Sequence, residues 1–214
     1  MYESEKIPDI FVRNPPHSYS ILKKATVGIA GCGGLGSNAA VMLTRAGIGH
    51  LIVVDFDIVA PENLNRQHFF MDQIGKPKVE ALGEIIKKIN PDIDYVPYQV
   101  NLIPENIPHL FRNVDALIEA FDDAEQKSML INTWTNLCNG KLLVAASGLA
   151  GYGKCEKIKI NRMGDLIVVG DLCSPLTEGL IAPRVMMVSA IEANLVIEYL
   201  LQNKMRKMGT VPTP

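Results

Sequence analysis

The stretch that decides the fold lies near the N-terminus and reads TVGIAGCGGLGS over residues 26–37. Residues 26–30 form a short, apolar and partly β-branched run, which is typical of a buried strand. A glycine-rich turn follows at 31–36, and residues 38–46 have the pattern of a helix that ends at Gly47. The sequence therefore predicts a strand, a tight glycine turn and a helix in direct succession.

The glycine turn has the G-x-G-x-x-G spacing of a nucleotide-binding loop, carried by Gly31, Gly33 and Gly36. In such a loop the first glycine permits the tight turn, the second lets backbone approach a phosphate, and the third lets helix and strand pack closely. The helix start offers free backbone N–H groups to an anion. Asp55 ends the next apolar run at the spacing of about 20 residues at which a carboxylate binds a ribose hydroxyl. This motif alone predicts NAD or FAD binding.

Beyond the glycine turn, predicted strands alternate with predicted helices. The remaining strands are expected at residues 51–54, 95–100, 115–118 and 142–146, and the helices at 76–89, 104–111, 124–138 and 183–201. Residues 155–160 and 166–169 are interpreted as an antiparallel hairpin. The sequence thus predicts an α/β fold of the doubly wound, Rossmann-like type, with a mainly parallel sheet extended by that hairpin.

The two ends of the chain are interpreted as appendages of this sheet. Residues 1–25 are rich in proline and polar side chains, so we expect a loose N-terminal arm with at most a short helix. Residues 204–214 begin with a basic run and are expected to form a flexible tail. Residues 1–214 are then interpreted as a single domain.

Composition excludes several classes of protein. The 214 residues are 48% hydrophobic and 21% charged, which excludes a disordered chain. A formal net charge of −2 predicts no nucleic-acid partner, and no apolar run reaches the ~20 residues of a membrane span. The N-terminus is acidic, unlike a signal peptide, and the four cysteines form no C-x-x-C pair, so zinc is unlikely. We expect a cytoplasmic protein.

The segment after Asp55 argues against a dehydrogenase. It carries Arg66, Lys76 and Lys78, more cations than the pyrophosphate of a dinucleotide needs but suited to a triphosphate. Only about 65 residues follow the fifth predicted strand, which is small for a separate substrate domain. An NAD-dependent oxidoreductase remains an alternative that these residues disfavour.

Four spaced motifs resemble one family. They are the glycine turn at 31–37, DFD at 55–57, NLNRQ at 63–67 and GKPK at 75–78, and together they resemble the ubiquitin-activating-enzyme-like (ThiF/MoeB/HesA) superfamily of adenylyltransferases. The resemblance spans about residues 23–201 and is strongest to the short enzymes that activate the sulfur-carrier protein of thiamine biosynthesis. It implies an ATP-binding adenylyltransferase domain. In it, the C-terminal Gly-Gly carboxylate of a small ubiquitin-like carrier protein attacks the α-phosphate of ATP and displaces pyrophosphate. No general base is needed, because an α-carboxyl group is already ionised at neutral pH.

The resemblance also implies roles for individual residues. Asp55 binds the ribose, Gln67 lies near the leaving group, and the nucleotide-binding set is Gly31, Gly33, Gly34, Leu35, Gly36, Asp55, Asp57, Asn63, Arg66, Gln67, Lys78 and Asp122. Arg66 and Lys78, with Asn63, contact the phosphates. Asp122 matches the aspartate that binds Mg²⁺ in the family, and helix capping by Asp122 or Asp123 is the alternative interpretation. Asp57 could instead cap the following turn.

The resemblance implies two further candidate site residues, Arg13 and Cys173. Dimeric relatives use an arginine of the N-terminal arm on the partner subunit's ATP, so the resemblance implies a homodimer with Arg13 in that role, and a solvated surface arginine is the alternative. Cys173 lies near the place where relatives carry a cysteine that handles sulfur or a thioester, and plain packing is the alternative. Longer relatives hold zinc with two C-x-x-C pairs that this chain lacks.

Other functions remain open at this point. The chain could adenylylate another carboxylate or a tRNA-borne group, although its net charge disfavours tRNA. It could also be a nucleotide-binding scaffold without catalysis. The set of Arg66, Lys78 and Asp122 disfavours a scaffold, which does not need a complete site for a triphosphate.

Overall fold

The computed structural model describes residues 8–138 and 140–207. Its strands are β1 (Thr26–Ala30), β2 (His50–Val54), β3 (Asp94–Tyr98), β4 (Ala116–Glu119), β5 (Leu142–Ala146), β6 (Lys159–Met163) and β7 (Leu166–Gly170). Its helices are α1 (Ser18–Leu22), α2 (Gly34–Ala46), α3 (Lys78–Ile89), α4 (Ile107–Phe111), α5 (Ala124–Leu137) and α6 (Ala182–Lys207). Short 3-10 helices occupy Asp9–Phe11, Pro61–Asn63, Met71–Gln73, Cys155–Lys157 and Leu176–Glu178.

The strands form one seven-stranded sheet in the order β3-β2-β1-β4-β5-β7-β6. Every neighbouring pair is parallel except β6 and β7, which are antiparallel. The predicted Rossmann-like α/β fold with an added hairpin is therefore confirmed. The chain moves outward from β1 to β3 and then returns to the other side of β1 with β4. In sheets of this kind ligands bind at that reversal, beside the carboxyl ends of the strands.

Both faces of the sheet are covered, so the central strands are buried on both sides. Val27 and Ile29 of β1 pack into the larger core, with α2, α3 and α6, whereas α4 and α5 cover the other face around Trp134. Gly28 faces α4, where an added Cβ would lie 2.7 Å from the ring of Phe111. The absent side chain at Gly28 thus lets α4 pack closely against β1.

Helix α6 packs against α2 and the sheet, as the apolar pattern of its sequence predicts. By length and composition alone, Ala182–Asn203 is apolar enough to cross a membrane, so the expectation that no segment qualifies is not met. In this structure, however, Val188, Val196 and Leu200 of that stretch lie in the larger core. Their burial accounts for the apolar composition of the helix.

The prediction of a loose N-terminal arm is wrong for residues 8–25. Phe11 is buried and its ring stacks on Tyr19 with centroids 5.0 Å apart. Helix α1 buries Ile21 and Leu22 behind them. Apolar side chains spaced among the prolines therefore dock this segment, because burying them offsets the ordering of the backbone.

Three predicted boundaries are also displaced. Helix α2 begins at Gly34, inside the glycine motif and four residues before the predicted start. The first hairpin strand is Lys159–Met163 rather than 155–160, because the two-residue turn is Gly164 and Asp165, with Gly164 at φ +62°. Helix α6 continues to Lys207, into the predicted tail, and the rest of that tail lies outside the described residues.

Candidate functional site

A cavity of about 630 Å³ opens where the sheet order reverses, at the carboxyl ends of β1 and β4. The segments that follow β1, β2, β4 and β5 line it, together with the crossover between β7 and α6. Most of the residues selected from the sequence meet here: Gly31, Gly33, Gly34, Leu35, Asp55, Asp57, Arg66, Gln67, Lys78 and Asp122.

The cavity lining divides by charge into two walls. The charged wall carries the ionisable side chains Asp55, Asp57, Arg66, Lys78, Asp122, Asp123 and Lys127. The uncharged wall comes from the end of β5 and the crossover and consists of Ser147, Gly148, Leu149, Ser174, Pro175, Leu176 and Leu180. The charged wall carries four carboxylates and three cations, so an added cation would strengthen the binding of a polyphosphate there.

The glycine turn leaves space where a phosphate would approach. A Cβ at Gly36 would overlap the carbonyl oxygen of Gly31, and Gly31 itself has φ +99°. At Gly33, in contrast, the nearest atom to an added Cβ is Nε2 of Gln67 at 3.8 Å. Gly36 is thus required for packing, whereas the space over Gly33 is open. The first turn of α2 begins there and its N–H groups lack helical partners.

Asp55 connects the glycine turn to β2. Its Oδ2 accepts a hydrogen bond from the Cys32 backbone N–H at 2.5 Å, and its Oδ1 accepts one from the Asp57 backbone N–H at 2.8 Å. Burial raises the pKa of Asp55, and these two hydrogen bonds and the charge of Lys78 offset only part of that rise. The carboxylate therefore holds the loop in shape as well as facing the cavity.

The two predicted phosphate cations are in different electrostatic states. Lys78 is buried and its Nζ lies 2.7 Å from Oδ2 of Asp57, so a carboxylate already neutralises its charge. Arg66 donates from Nη1 only to neutral oxygens, the Glu62 carbonyl at 3.0 Å and Oδ1 of Asn65 at 2.8 Å. Within the described ranges, Arg66 is thus a cavity cation whose charge no carboxylate neutralises.

Gln67 lies beside Arg66 with its side-chain oxygen unsatisfied. The residue is 7% exposed, and its Oε1 has no hydrogen-bond partner among the described residues. A buried polar atom without a partner is costly. Its position on the cavity lining marks it as a group that a ligand donor would satisfy.

In the turn after β4, Asp122 and Asp123 have different roles, which the sequence alone did not distinguish. Asp123 caps α5, since its Oδ1 accepts a hydrogen bond from the Gln126 backbone N–H at 2.8 Å. Asp122 is exposed on the cavity lining, and its carboxylate has no hydrogen bond in the part of the chain that the structure describes. The capping role therefore belongs to Asp123, and Asp122 keeps its oxygens available.

The sequence interpretation missed a buried charge cluster behind this turn. Glu119 is fully buried; its Oε1 accepts a hydrogen bond from the Phe121 N–H at 2.7 Å, and Lys127 pairs with its Oε2. Burial raises the pKa of Glu119, and Lys127 offsets only part of that rise. The sequence did contain one indication of this cluster. Lys127 lies in the first turn of α5, where the helix dipole disfavours a cation unless an acidic side chain is near.

A second buried acid, Glu192, lies on α6 near this cluster. It is fully buried, and neither side-chain oxygen has a partner among the described residues. Burial and the nearby charge of Glu119 raise the pKa of Glu192 well above its ordinary value. Its surroundings therefore favour the protonated form of Glu192.

The uncharged wall rests on a different buried pair that the sequence interpretation also missed. Nη2 of Arg184 lies 2.6 Å from Oδ2 of Asp171, and both side chains are 3% exposed. Burial opposes ionisation of Asp171, but hydrogen bonds from Ser174 and from the Cys173 backbone outweigh it and hold the pKa of Asp171 below its ordinary value. Arg184 and Glu192 interrupt the apolar run of α6, which is a signal for a buried charged group.

Four predicted site residues do not line the cavity, and the first is Gly36, which packs against the Gly31 carbonyl inside the glycine turn. Asn63 accepts a hydrogen bond at Oδ1 from the Ala60 backbone N–H, 2.9 Å away, and so closes a 3-10 turn. Arg13 is exposed on the docked N-terminal segment. Cys173 is exposed and adjoins Ser174 of the uncharged wall.

A single carboxylate suits Mg²⁺ bound together with phosphates. Among the described residues, no group of three or more His, Cys, Asp or Glu side chains could hold a metal ion by itself. Mg²⁺ is usually bound through one or two carboxylates plus substrate phosphates, and Asp122 is a hard oxygen ligand without a competing partner. The donor set therefore fits Mg²⁺ that arrives with a nucleotide.

A protein-family comparison matches the ThiF family over residues 11–211. The chain belongs to the ThiF family. Among curated relatives, it is 37% identical over 134 residues to the adenylyltransferase and sulfurtransferase uba4 of Aspergillus terreus, covering 62% of this chain and 27% of that protein. It is 34% identical over 134 residues to the adenylyltransferase and sulfurtransferase MOCS3 of Xenopus laevis, covering 62% and 29%. This ThiF-family chain thus spans under a third of the length of those relatives.

Solved structures share the fold of this ThiF-family chain. Escherichia coli tRNA N6-threonylcarbamoyladenosine dehydratase, TcdA, in complex with AMP, superposes with a TM-score of 0.79 at 22% identity, over 87% of this chain and 90% of that one. E. coli MccB with succinimide superposes with a TM-score of 0.67 at 24% identity, over 86% and 58%. At these identities the likeness shows the fold alone.

Proposed function

We propose that this ThiF-family chain, as a single domain, uses ATP to adenylylate the C-terminal Gly-Gly carboxylate of a small ubiquitin-like sulfur-carrier protein and releases pyrophosphate. The reaction would serve thiamine (thiazole) biosynthesis or a related sulfur transfer. One observation carries the proposal: an open glycine turn, the unneutralised charge of Arg66 and the free carboxylate of Asp122 meet in one cavity.

The charged wall supports Mg-ATP as the nucleotide. The turn at Gly33 and the start of α2 offer N–H groups to phosphate, while Arg66 and Lys78 supply positive charge. Because this wall also carries carboxylates, a divalent cation would strengthen the binding of a triphosphate there. Asp122 would hold Mg²⁺, which would neutralise part of the negative charge of the phosphates. The apolar side chains Phe121 and Leu102 on the same lining suit the adenine ring.

The uncharged wall supports a Gly-Gly tail as the acyl substrate. Its side chains are small or aliphatic, with Ser147, Gly148 and Leu149 on one segment and Pro175 and Leu176 on the other. A Gly-Gly terminus has no side chains and a single charge, at its carboxylate. Such a tail fits a narrow neutral surface that ends at the phosphate site.

The chemistry needs positioning and charge neutralisation rather than a base. One oxygen of the carrier carboxylate attacks the α-phosphorus, an acyl–phosphate bond forms, and the bond between the α-phosphorus and the bridging oxygen breaks as pyrophosphate departs. Arg66 and Lys78 stabilise charge on the phosphates, and the free Oε1 of Gln67 accepts a hydrogen bond from the bound substrate. Asp57 would share Lys78 with the nucleotide.

Two finer proposals concern residues outside the cavity lining. Arg13 is exposed in a docked segment, so in a homodimer it would extend toward the partner's nucleotide. Cys173 is exposed beside the uncharged wall. Its thiolate would attack the carbonyl carbon of the adenylate, forming a thioester as AMP leaves.

A second candidate function is adenylylation of a tRNA-borne carboxylate. The observation in its favour is the superposition on TcdA, a tRNA N6-threonylcarbamoyladenosine dehydratase, with a TM-score of 0.79 over 90% of the TcdA chain. The net charge of −2 disfavours it. In this case tRNA, rather than a carrier protein, would be the acyl substrate.

Exchange of labelled pyrophosphate into ATP tests the proposal. With Mg²⁺ and a ubiquitin-like sulfur carrier ending in Gly-Gly, we expect exchange that the same carrier without its last glycine does not support. Exchange with bulk tRNA instead would establish the second candidate. ATP binding without exchange on either substrate would contradict both and leave a nucleotide-binding scaffold, and NAD binding in place of ATP would contradict the nucleotide assignment.

A further inference from the structure

The crossover that forms half of the uncharged wall is held by a buried ion pair. Both oxygens of Asp171 are used: Oδ1 accepts hydrogen bonds from the Cys173 and Ser174 backbone N–H groups at 2.9 and 2.8 Å, and Oδ2 accepts from Arg184 at 2.6 Å and from the Ser174 hydroxyl. Arg184 also donates from Nη1 to the Gly153 carbonyl at 2.5 Å. The pair therefore joins the crossover, the loop after β5 and the start of α6.

The Asp171 carboxylate also fixes both segments of the uncharged wall against each other. A Cβ at Gly148, which has φ +74°, would overlap Oδ1 of Asp171, so the carboxylate lies directly against the segment after β5. Within the crossover, Leu172 has φ +61°, a strained conformation for a leucine. Such strain persists only where surrounding contacts determine the backbone, and the hydrogen bonds to Asp171 flank this residue.

The same ion pair connects the uncharged wall to the glycine turn. Val185 directly follows Arg184 in α6, and a Cβ at Gly34 would lie 2.9 Å from Cγ1 of Val185. The first turn of α6 therefore packs against the loop that receives phosphate. None of the atoms of Asp171 or Arg184 belongs to the cavity lining, so the pair acts only through the residues that it holds.

We propose that Asp171 and Arg184 are positioning residues that hold the uncharged wall in the shape that receives the acyl tail, in register with the phosphate site. This rests on the proposed function. Among the described residues, no side chain of the charged wall hydrogen-bonds to either member of the pair, so we expect loss of the pair to affect the acyl tail more than the nucleotide. Binding of the carrier tail weakens while ATP binding persists.

Steady-state kinetics of pyrophosphate exchange in Asp171→Asn and Arg184→Lys test this role. Because small displacements of positioning groups have large kinetic effects, we expect the KM for the carrier to rise about 10-fold. The Kd for ATP should change less than about 2-fold. Arg162→Gln is the matched control, since Arg162 forms an exposed pair with Glu198 at 2.9 Å. A merely structural role would lower kcat through loss of folded enzyme and leave both constants unchanged, which would overturn the proposal.

Hydrogen exchange measured without any carrier keeps the inference separate from the proposed function. In Asp171→Asn, the Cys173 and Ser174 amides should exchange faster by about 10-fold or more, because each loses its charged acceptor. If Asp171→Asn does not fold, Ser174→Ala replaces it in this experiment, because that variant removes only the hydroxyl donor to Asp171. We then expect a smaller increase in the exchange rate of the same two amides. Unchanged exchange at both amides would overturn the positioning role. Faster exchange without any carrier-dependent activity in the wild-type protein would refute the proposed function alone.

Discussion

Buried carboxylates lie behind each wall of the cavity. The charges of these carboxylates are neutralised to different extents behind the two walls. Behind the uncharged wall, Asp171 accepts a hydrogen bond from Nη2 of Arg184, and hydrogen bonds from Ser174 and Cys173 hold its pKa below its ordinary value. Behind the charged wall, Lys127 pairs with Glu119, neither oxygen of Glu192 has a partner among the described residues, and burial raises the pKa of both acids. Asp171 therefore keeps its charge across neutral pH, whereas burial favours the protonated forms of Glu119 and Glu192. We therefore expect the uncharged wall to keep its shape as pH changes. The turn that carries Asp122 rests on Glu119 and Lys127, so we expect its stability to depend on pH.

The largest expected effect separates the two aspartates on the charged wall. Asp122→Asn removes the free carboxylate that the account assigns to Mg²⁺, so kcat for pyrophosphate exchange should fall about 10²–10³-fold. Asp123→Asn keeps an N-cap and should stay near the wild-type rate, because asparagine caps helices about as well as aspartate. Equal rates in the two variants would remove Asp122 from the proposed Mg²⁺ site.

Substitution of Arg184 or Lys127 tests how far each cation neutralises the buried carboxylate beside it. Arg184→Gln leaves the ionised Asp171 buried, so the free energy of unfolding should fall by about 3–5 kcal/mol. This loss should be similar at pH 5.5 and pH 8, because Asp171 is ionised at both. Urea titrations at the two pH values measure it.

Lys127→Gln should behave differently in the same titrations. Without Lys127 the pKa of Glu119 rises further, and a protonated Glu119 needs no cation. The loss of stability should therefore be small at pH 5.5 and grow toward pH 8, because the unfolded chain releases a proton that the folded state retains. A loss as large at pH 5.5 as at pH 8 would show that Glu119 is ionised at both.

The smallest effect is a gain in stability from Glu192→Gln. The folded pKa of Glu192 lies well above 4.5, so the folded protein loses stability as pH rises from that value toward the folded pKa. Each unit of that rise corresponds to about 1.4 kcal/mol, and glutamine removes the dependence. The variant should match wild type near pH 4 and be more stable at pH 8. Glu198→Gln, at an exposed position of the same helix, is the control.

The sequence predicted the charged wall better than the uncharged one, for a physical reason. Gly31, Gly36 and Asp55 act through local backbone geometry at fixed spacing, and that geometry can be read from a motif. Asp171 and Arg184 come from separate elements, and the burial that makes their pairing decisive is a property of the fold. The signal that the sequence offered was the place of Arg184 and Glu192 within the apolar run of α6, which indicates buried partners but does not identify them.

The errors in the fold prediction have similar causes. Residues 155–160 and the observed strand Lys159–Met163 share one alternating pattern, so the register depended on whether the turn used Gly164. The N-terminal segment has the proline content of a loose arm, yet Phe11 and Tyr19 dock it. Composition alone does not show whether scattered apolar side chains find a surface to cover.

The central claim is that the carboxylate of a carrier protein becomes joined to AMP. Its most direct test is the intact mass of a Gly-Gly carrier after incubation with this protein, ATP and Mg²⁺. We expect an adduct of one AMP on the full-length carrier and none on the carrier shortened by its last glycine. We also expect no adduct with the Asp122→Asn variant. An unmodified full-length carrier, in the presence of protein that binds ATP, would contradict the account.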